Sequence, residues 1–318
     1  FFFFKQKTAY EISTRDWSSD VCSSDLTDIL GIMTEKAKLG NRRVTGKEQF
    51  YTPTQLAEEL TAKVAKLVKD FSERVIIEPA GGTGSFLKAV KTYKPKKVVS
   101  FDIEPKSDGV LTADFLEADL SKISDAITIS NPPFGRNNSL SIPFFNKAAK
   151  HSEFIAFIVP RSWRKWSVIN RLDRNFHLVH DEDLTIDYVD DSGVMIWQKA
   201  RLNTCFQIWQ RKAKPRETIK IADLGLITKT TPEDADISIT VFGFGCGKVK
   251  TDFPRKPNTT QMFLKLNDKR VLPALAKVDF SKFYRNTAYT EALSLQEIRY
   301  LLNEEILGDP GLVSESNQ

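Results

Sequence analysis

The sequence predicts an α/β protein: a mostly parallel sheet with helices on both faces, followed by a smaller C-terminal α+β region. Three observations predict it. A strand over residues 74–79 runs through a glycine-rich turn into a helix over 85–93. Short β-branched or apolar runs at 97–102, 110–115, 126–130 and 154–160 alternate with helical patterns, as in a doubly wound sheet. A stiff polar loop, Asn131-Pro132-Pro133-Phe134-Gly135, follows one of these strands at its C-terminal end, where open α/β sheets bind ligands.

Residues 1–26 stand apart from this pattern. Four leading phenylalanines are what a run of T bases encodes, and residues 5–12 and 16–26 resemble the conceptual translation of a short-read sequencing adapter. This segment is expected to be non-native and disordered, with the native start upstream or near Met33. It lacks the charged start, apolar core and small-residue cleavage site of a secretory signal. Residues 27–46 are polar, basic and without period, and are expected to be flexible.

The remaining chain, about 290 residues, is enough for one large domain or a large and a small one. Leaving out Lys5, Lys7, Arg15, Glu11, Asp16, Asp20 and Asp25 turns 46 basic and 41 acidic residues into 43 and 37. That mild excess permits a polyanionic partner without requiring one. No apolar run approaches the roughly 18 residues of a membrane span. Cys205 and Cys246 have no metal-like spacing and suit a reducing cytoplasm, and the scattered histidines argue against a metal site.

In chain order, Phe50-Tyr51-Thr52-Pro53 precedes a helix over 54–70 whose apolar stripe is Leu56, Leu60, Val64, Leu67 and Val68. Thr52 or Thr54 would cap it, with Pro53 favoured near its start. Taken alone, the block reads equally as a helix cap with buried aromatics. Glu78-Pro79-Ala80-Gly81-Gly82-Thr83-Gly84 ends the first strand and opens the next helix. Its glycines let backbone amides approach a ligand, and a helix N-terminus favours negative groups. No Gly-Lys-Ser/Thr follows, so it is not a Walker loop. Asp102, 24 residues beyond Glu78, ends the next strand, where an acid grips ribose hydroxyls; Ile103 follows it. Asp114-Phe115 can hydrogen-bond an adenine amine and stack on its ring, or be a turn acid beside a core Phe.

In Asn131–Gly135 the prolines fix φ and remove two backbone donors, and Pro132 pushes Asn131 out of the helical region. The loop presents an amide, free carbonyls and the flat face of Phe134, a pocket for a planar group bearing an exocyclic amine. The competing reading is a tight proline turn capped by a core Phe. A polar stretch including Arg136, a helix over 143–151 and a buried strand over 154–160 follow. Arg161-Ser162-Trp163-Arg164-Lys165-Trp166, with Arg171 and Arg174, can contact phosphates and stack on bases, or form a solvated amphipathic helix. Strands are expected over 176–189 and 194–211, and a basic, proline-containing break over 211–217 marks a boundary.

Beyond it, residues 237–242 read as a strand. Gly243-Phe244-Gly245-Cys246-Gly247-Lys248 could approach a phosphate backbone, though a hairpin turn is the favoured reading. Ser294-Leu295-Gln296-Glu297 is a capping box opening a helix to about 306, and the tail from Gly308 is expected to be disordered. The expected organisation is therefore 1–26 non-native, 27–46 flexible, 47–212 a catalytic domain, 213–308 a target-recognition-like region, and 309–318 a disordered tail.

These residues together resemble the S-adenosylmethionine-dependent adenine-N6 methyltransferases of the class I, Rossmann-like fold, over about residues 47–211. Phe50–Pro53 resembles the motif that closes over the methionine end of the cofactor. Glu78–Phe86 resembles the cofactor glycine motif, Asp102 the ribose-binding acid, and Asp114-Phe115 the adenine-contacting pair. Asn131-Pro132-Pro133-Phe134 resembles the target-amine motif. The order, cofactor motifs before catalytic loop before recognition region, resembles the gamma-type arrangement. The resemblance implies a seven-stranded sheet of order 3-2-1-4-5-7-6, S-adenosylmethionine as cofactor, and DNA as substrate. It also implies a monomer in the cytoplasm, with a restriction endonuclease as a possible partner. Phe134, Arg136, Arg161, Trp163, Arg164 and Lys248 are the expected nucleic-acid contacts. Related motifs occur in enzymes acting on ribosomal RNA adenine or on release-factor glutamine, and these stand as alternatives, as does an inactive nucleic-acid-binding subunit.

Overall fold

The computed structural model describes residues 50–196 and 202–315. The segments 1–26 and 27–46, and the last three residues, lie outside the described residues, as do 197–201 of the expected strand over 194–211.

Helix α1 (Thr54–Leu67) leads into β1 (Val75–Glu78), α2 (Ser85–Lys91), β2 (Lys97–Asp102), β3 (Val110–Thr112) and β4 (Ala126–Ser130). Then come α3 (Ser141–Ala149), β5 (Ser152–Pro160), α4 (Trp166–Ile169), β6 (Phe176–Leu184) and β7 (Thr204–Arg211). The seven strands form one sheet of order β3-β2-β1-β4-β5-β7-β6, as the resemblance implied. β7 runs antiparallel to both of its neighbours, and the remaining pairs are parallel. Between β1 and β4 the winding reverses, Ile76 pairing with Ile127 and Ile77 with Thr128. This is the Rossmann-like, doubly wound arrangement, whose ligand crevice lies at that reversal.

Alternation explains why the strands read as continuous apolar runs. Successive side chains of a strand point to opposite faces, and here both faces are covered. Ile76, Ile127, Ala156, Ile158 and Phe206 face one core with Leu60 and Val64 of α1 and Phe86 and Val90 of α2. Ile77, Ala126, Ile155, Phe157 and Trp209 face the other, with Phe144, Phe145 and Ala148 of α3. Burial on α1 falls on Ala57, Leu60, Thr61 and Val64 rather than on the full expected stripe; Leu67 ends the helix half-exposed. Thr61 is tolerated there because its hydroxyl donates to the Ala57 carbonyl at 2.7 Å. Neither Thr52 nor Thr54 caps α1. Pro53 occupies the N-cap and makes no side-chain bond.

Three strands are shorter than expected because their partners end. β3 stops at Thr112, paired with Asp102 at the end of β2. β6 and β7 stop at the Leu184–Thr204 pair. From 185 to 196 the chain instead forms a connection in which Val189 exchanges backbone hydrogen bonds with Tyr51, at 3.2 and 3.1 Å.

Beyond Arg211 lie β8 (Thr218–Ile221), β9 (Ile227–Lys229), β10 (Ile237–Thr240), β11 (Val249–Lys250) and β12 (Gln261–Leu266). They are followed by α5 (Val271–Leu275), α6 (Ser281–Tyr284), α7 (Leu295–Leu307) and β13 (Leu312–Glu315). A four-stranded antiparallel sheet, β11-β10-β12-β9, packs Ile237, Ile239 and Leu264 against Leu275, Ile298 and Leu302. The Ser294–Glu297 capping box opens α7. The expectation of a disordered tail from Gly308 is corrected over the described residues. Gly308 ends α7 at φ 73°, and β13 then pairs antiparallel with β8, Leu312 with Ile221 and Glu315 with Thr218. No described helix is long and apolar enough to cross a membrane.

Candidate active site

At the C-terminal ends of β1, β2 and β4 lies a cavity of about 440 Å³. It falls within the usual range of small-molecule sites. Of the residues expected to bind cofactor, all but Pro53 and Gly84 line it, and Pro132, Pro133 and Phe134 line it too. Pro53 and Gly84 stand just behind, at the N-caps of α1 and α2.

The glycine turn is shaped by close approaches. Gly81 N–H donates to the Phe101 carbonyl at 2.8 Å, and a Cβ on Gly81 would fall 2.3 Å from Ser100 Oγ. Gly82 sits at φ +49° beneath the Tyr51 ring, where a Cβ would lie 2.7 Å from the ring carbons. Asp102 joins this turn to the end of β2: Oδ2 accepts from Gly82 N–H and Oδ1 from Glu104 N–H, each at 2.8 Å. The Phe50–Pro53 segment is tied down on the other side, with Ser85 Oγ donating to the Thr52 carbonyl at 2.8 Å.

Burial sets the electrostatics. Glu78 is 1% exposed, and burial pushes its carboxyl up to about 8, against the lowering effect of Ser100 Oγ donating at 2.5 Å. Burial, and then the charges of Asp102, Asp191 and Glu104, push the Tyr51 hydroxyl up to about 12. Both groups therefore hold their protons more tightly than they would in free solution.

The two key loops meet. Ser130 Oγ donates to the Ala80 carbonyl at 3.3 Å, and Asn131 Nδ2 donates to the Phe50 carbonyl at 3.1 Å. Asn131 Oδ1 is buried and has no hydrogen-bond partner among the described residues. A buried acceptor left unmade costs about 1–3 kcal/mol. The amide is fixed by its NH2 side, and Asn131 is among the residues that line the cavity. Phe134 is 8% exposed and belongs to the core, and it also lines the cavity. Asp114 and Phe115 combine their two readings. Asp114 Oδ1 accepts from Leu116 N–H at 2.9 Å, and Phe115 packs between Phe101 and Phe144, yet both line the cavity. Ser139, Leu140 and Phe144 also line it. The sequence reading missed them; the apolar stripe of α3 beginning just after the proline loop was the available signal.

The basic stretch after β5 is corrected. Trp163 is fully buried, its Nε1 donating to Ser141 Oγ at 3.3 Å and its ring edge-on to Phe145, so no face remains for a base. A 3-10 turn over Arg161–Arg164, directly after Pro160, swings it inward. The solvated-helix alternative fails for the same reason. Arg164 is gripped by Asp181 and Asp183, and Arg161 pairs with Asp183 at 3.0 Å. Lys165 and Trp166 hold the C-terminal region: Lys165 Nζ lies 3.0 Å from buried Glu297 Oε1, and Trp166 stacks on Tyr300 and packs on Phe283. Arg136 is exposed beside the proline loop, and Lys248 is exposed in the β10–β11 connection. That connection is a hairpin turn, closed by Gly247 N–H donating to the Thr240 carbonyl at 2.8 Å.

No protein-family profile matches the sequence, and no curated protein matches it. Similar solved structures include a candidate RNA methyltransferase from Pyrococcus horikoshii, at 20% identity and a TM-score of 0.43, over 54% of this chain and 92% of that one. A modification subunit of a candidate type I restriction enzyme from Vibrio vulnificus is similar at 15% identity and a TM-score of 0.38, over 57% of this chain and 49% of that one. TrmN from Thermus thermophilus is similar at 17% identity and a TM-score of 0.36, over 50% of this chain and 49% of that one. The chain thus spans about half the length of the latter two.

Proposed function

We propose that the chain is an S-adenosylmethionine-dependent methyltransferase acting on the N6 amine of adenine in DNA. The observation that carries this reading is that Asn131, whose buried Oδ1 has no hydrogen-bond partner among the described residues, lines the same cavity as the glycine turn and Asp102. The residues fit the cofactor: the close-packed turn offers backbone, Asp102 retains lone pairs for ribose hydroxyls, and Asp114 stands at the adenine end. When bound, S-adenosylmethionine supplies an electrophilic methyl on a sulfonium.

The chain's own residues prepare the acceptor. Adenine's exocyclic amine is a poor nucleophile because its lone pair is delocalised into the ring. Hydrogen bonds from its two N–H groups to Asn131 Oδ1 and the Pro132 carbonyl draw the nitrogen toward tetrahedral geometry and free the lone pair, and one N–H proton is released to solvent once the methyl is bound. The prolines keep both acceptors fixed, so little reorganisation is left for the reaction. A duplex base reaches this cavity only after leaving the stack. Phe134 lines it.

The test is methyl transfer from labelled cofactor to mixed-sequence DNA, to RNA and to protein, with the modified atom located by digestion and mass spectrometry. N6-methyladenine in DNA is the expected product. Label in RNA or on glutamine redirects the reading to those substrates, and no transfer to any of them overturns it.

A further inference from the structure

The β10–β11 hairpin carries an aromatic side chain with no structural use. Phe244 is fully exposed, at 105%, and Phe242 is 50% exposed. Phe244 stands between Gly243 and Gly245, at φ +82° and +77°, and a Cβ on either glycine would meet nothing within 4 Å. The ring is thus presented on a narrow knuckle with no side chain beside it. The base of the hairpin is anchored, however. Cys246 is buried in the C-terminal core, and Gly247 lies so close to Phe280 that a Cβ there would fall 2.9 Å from it.

Backbone bonds place this knuckle on the ligand-binding rim of the large sheet. Gly243 N–H donates to the Glu291 carbonyl at 2.9 Å, and Phe242 bridges Ala292. Residues 288–292 are held at that rim twice. Asn203 N–H donates to the Ala288 carbonyl at 2.7 Å, next to the Pro160–Thr204 pair, and Lys165 Nζ donates to the Ala292 carbonyl at 3.2 Å. β5 runs parallel to β4, so Pro160 and Ser130 end on the same side. Exposed Lys248 and half-exposed Lys250 follow the knuckle, with Asp252 and Glu291 as the nearby acids in sequence and pairing.

We infer that Phe244 is a stacking finger for duplex DNA, entering between bases while Lys248 meets the phosphate backbone. The inference rests on the adenine reading above and adds the part of the chain that engages the duplex around the extruded base. An aromatic wedge stabilises a disrupted step because every base offers a π-face.

The experiment is fluorescence anisotropy of the full chain on a labelled mixed-sequence duplex at fixed salt, with the demethylated cofactor present. Phe244→Ala is expected to weaken binding about ten- to a hundredfold. Phe244→Trp should bind within a few fold of the parent, and Lys248→Gln should lower the salt dependence of binding by about one unit of slope. Unchanged melting temperature and cofactor-induced stabilisation certify the folds. Phe244→Ala binding like the parent, no duplex binding by the parent, or a larger loss on single-stranded RNA than on the duplex would each overturn the finger. Failure of the adenine reading looks different: duplex binding sensitive to Phe244, with no methyl transferred to DNA.

Discussion

The side-chain amide of Asn131 donates to the backbone carbonyl of Phe50 across 81 residues of chain, at 3.1 Å. One group thereby joins the proline loop to the segment that covers the glycine turn. The same bond orients the amide, whose buried oxygen has no partner among the described residues.

Asn131→Ala removes the acceptor and should slow methyl transfer about 10²–10³-fold, the loss typical of one preorganised electrostatic contact. Asn131→Asp keeps the acceptor but loses the NH2 that holds Phe50, and should lose activity together with cofactor affinity. Single-turnover rates and cofactor titrations separate the two. Near-full activity of the alanine variant would return the loop to the plain proline-turn reading.

Gly82→Ala places a methyl group against the Tyr51 ring at a positive φ. It should weaken cofactor binding and lower stability by about 1–3 kcal/mol. Adding Tyr51→Ala should recover part of the stability, by relieving the clash but not the backbone strain. Denaturant unfolding of both single variants and the double variant measures this coupling, and strict additivity would place the ring elsewhere.

Asp102 accepts from two backbone amides, so Asp102→Ala should loosen the glycine turn as well as remove a ribose ligand. The cofactor-induced rise in melting temperature should shrink markedly. An unchanged rise removes Asp102 from the cofactor site.

Glu78 binds its proton more tightly folded, at about 8, than its ordinary value of 4.5. Between those values the native state holds more protons than the unfolded one, so this group makes stability fall with rising pH. The fall is at most about 1.4 kcal/mol per pH unit. Its contribution is fully present below about 4.5 and lost as pH passes about 8. Glu78→Gln should flatten the stability profile across that window and be the more stable chain at its alkaline end. Parallel profiles for both chains would show that the buried carboxyl does not titrate there.

Much of the site was legible because its chemistry is local in sequence. A glycine turn after a strand, an acid ending the next strand and a rigid proline loop each declare themselves within a few residues, and the sheet order brings them together. The tryptophans were misread for the opposite reason. Trp163 and Trp166 have the composition of a nucleic-acid stretch, but their partners, Ser141, Phe145, Phe283 and Tyr300, are distant in sequence. The tail likewise looked unstructured because β8, which it pairs with, lies about 90 residues earlier. Asp181 and Asp183, which neutralise Arg164, come from an edge strand whose acids carry no motif.

The contacts around Trp166 also brace the C-terminal region against the large sheet. Lys165 reaches buried Glu297, Asn170 makes paired bonds with Ile219, and Asn203 holds Ala288. Hinged closure of the C-terminal region onto the large sheet would have to break all of these at once, and would strand the Glu297 carboxylate without its cation. A jaw braced in this way does not bite. On the function proposed above, the work of opening a duplex would then fall on the affinity of the bound state rather than on a swing of the protein.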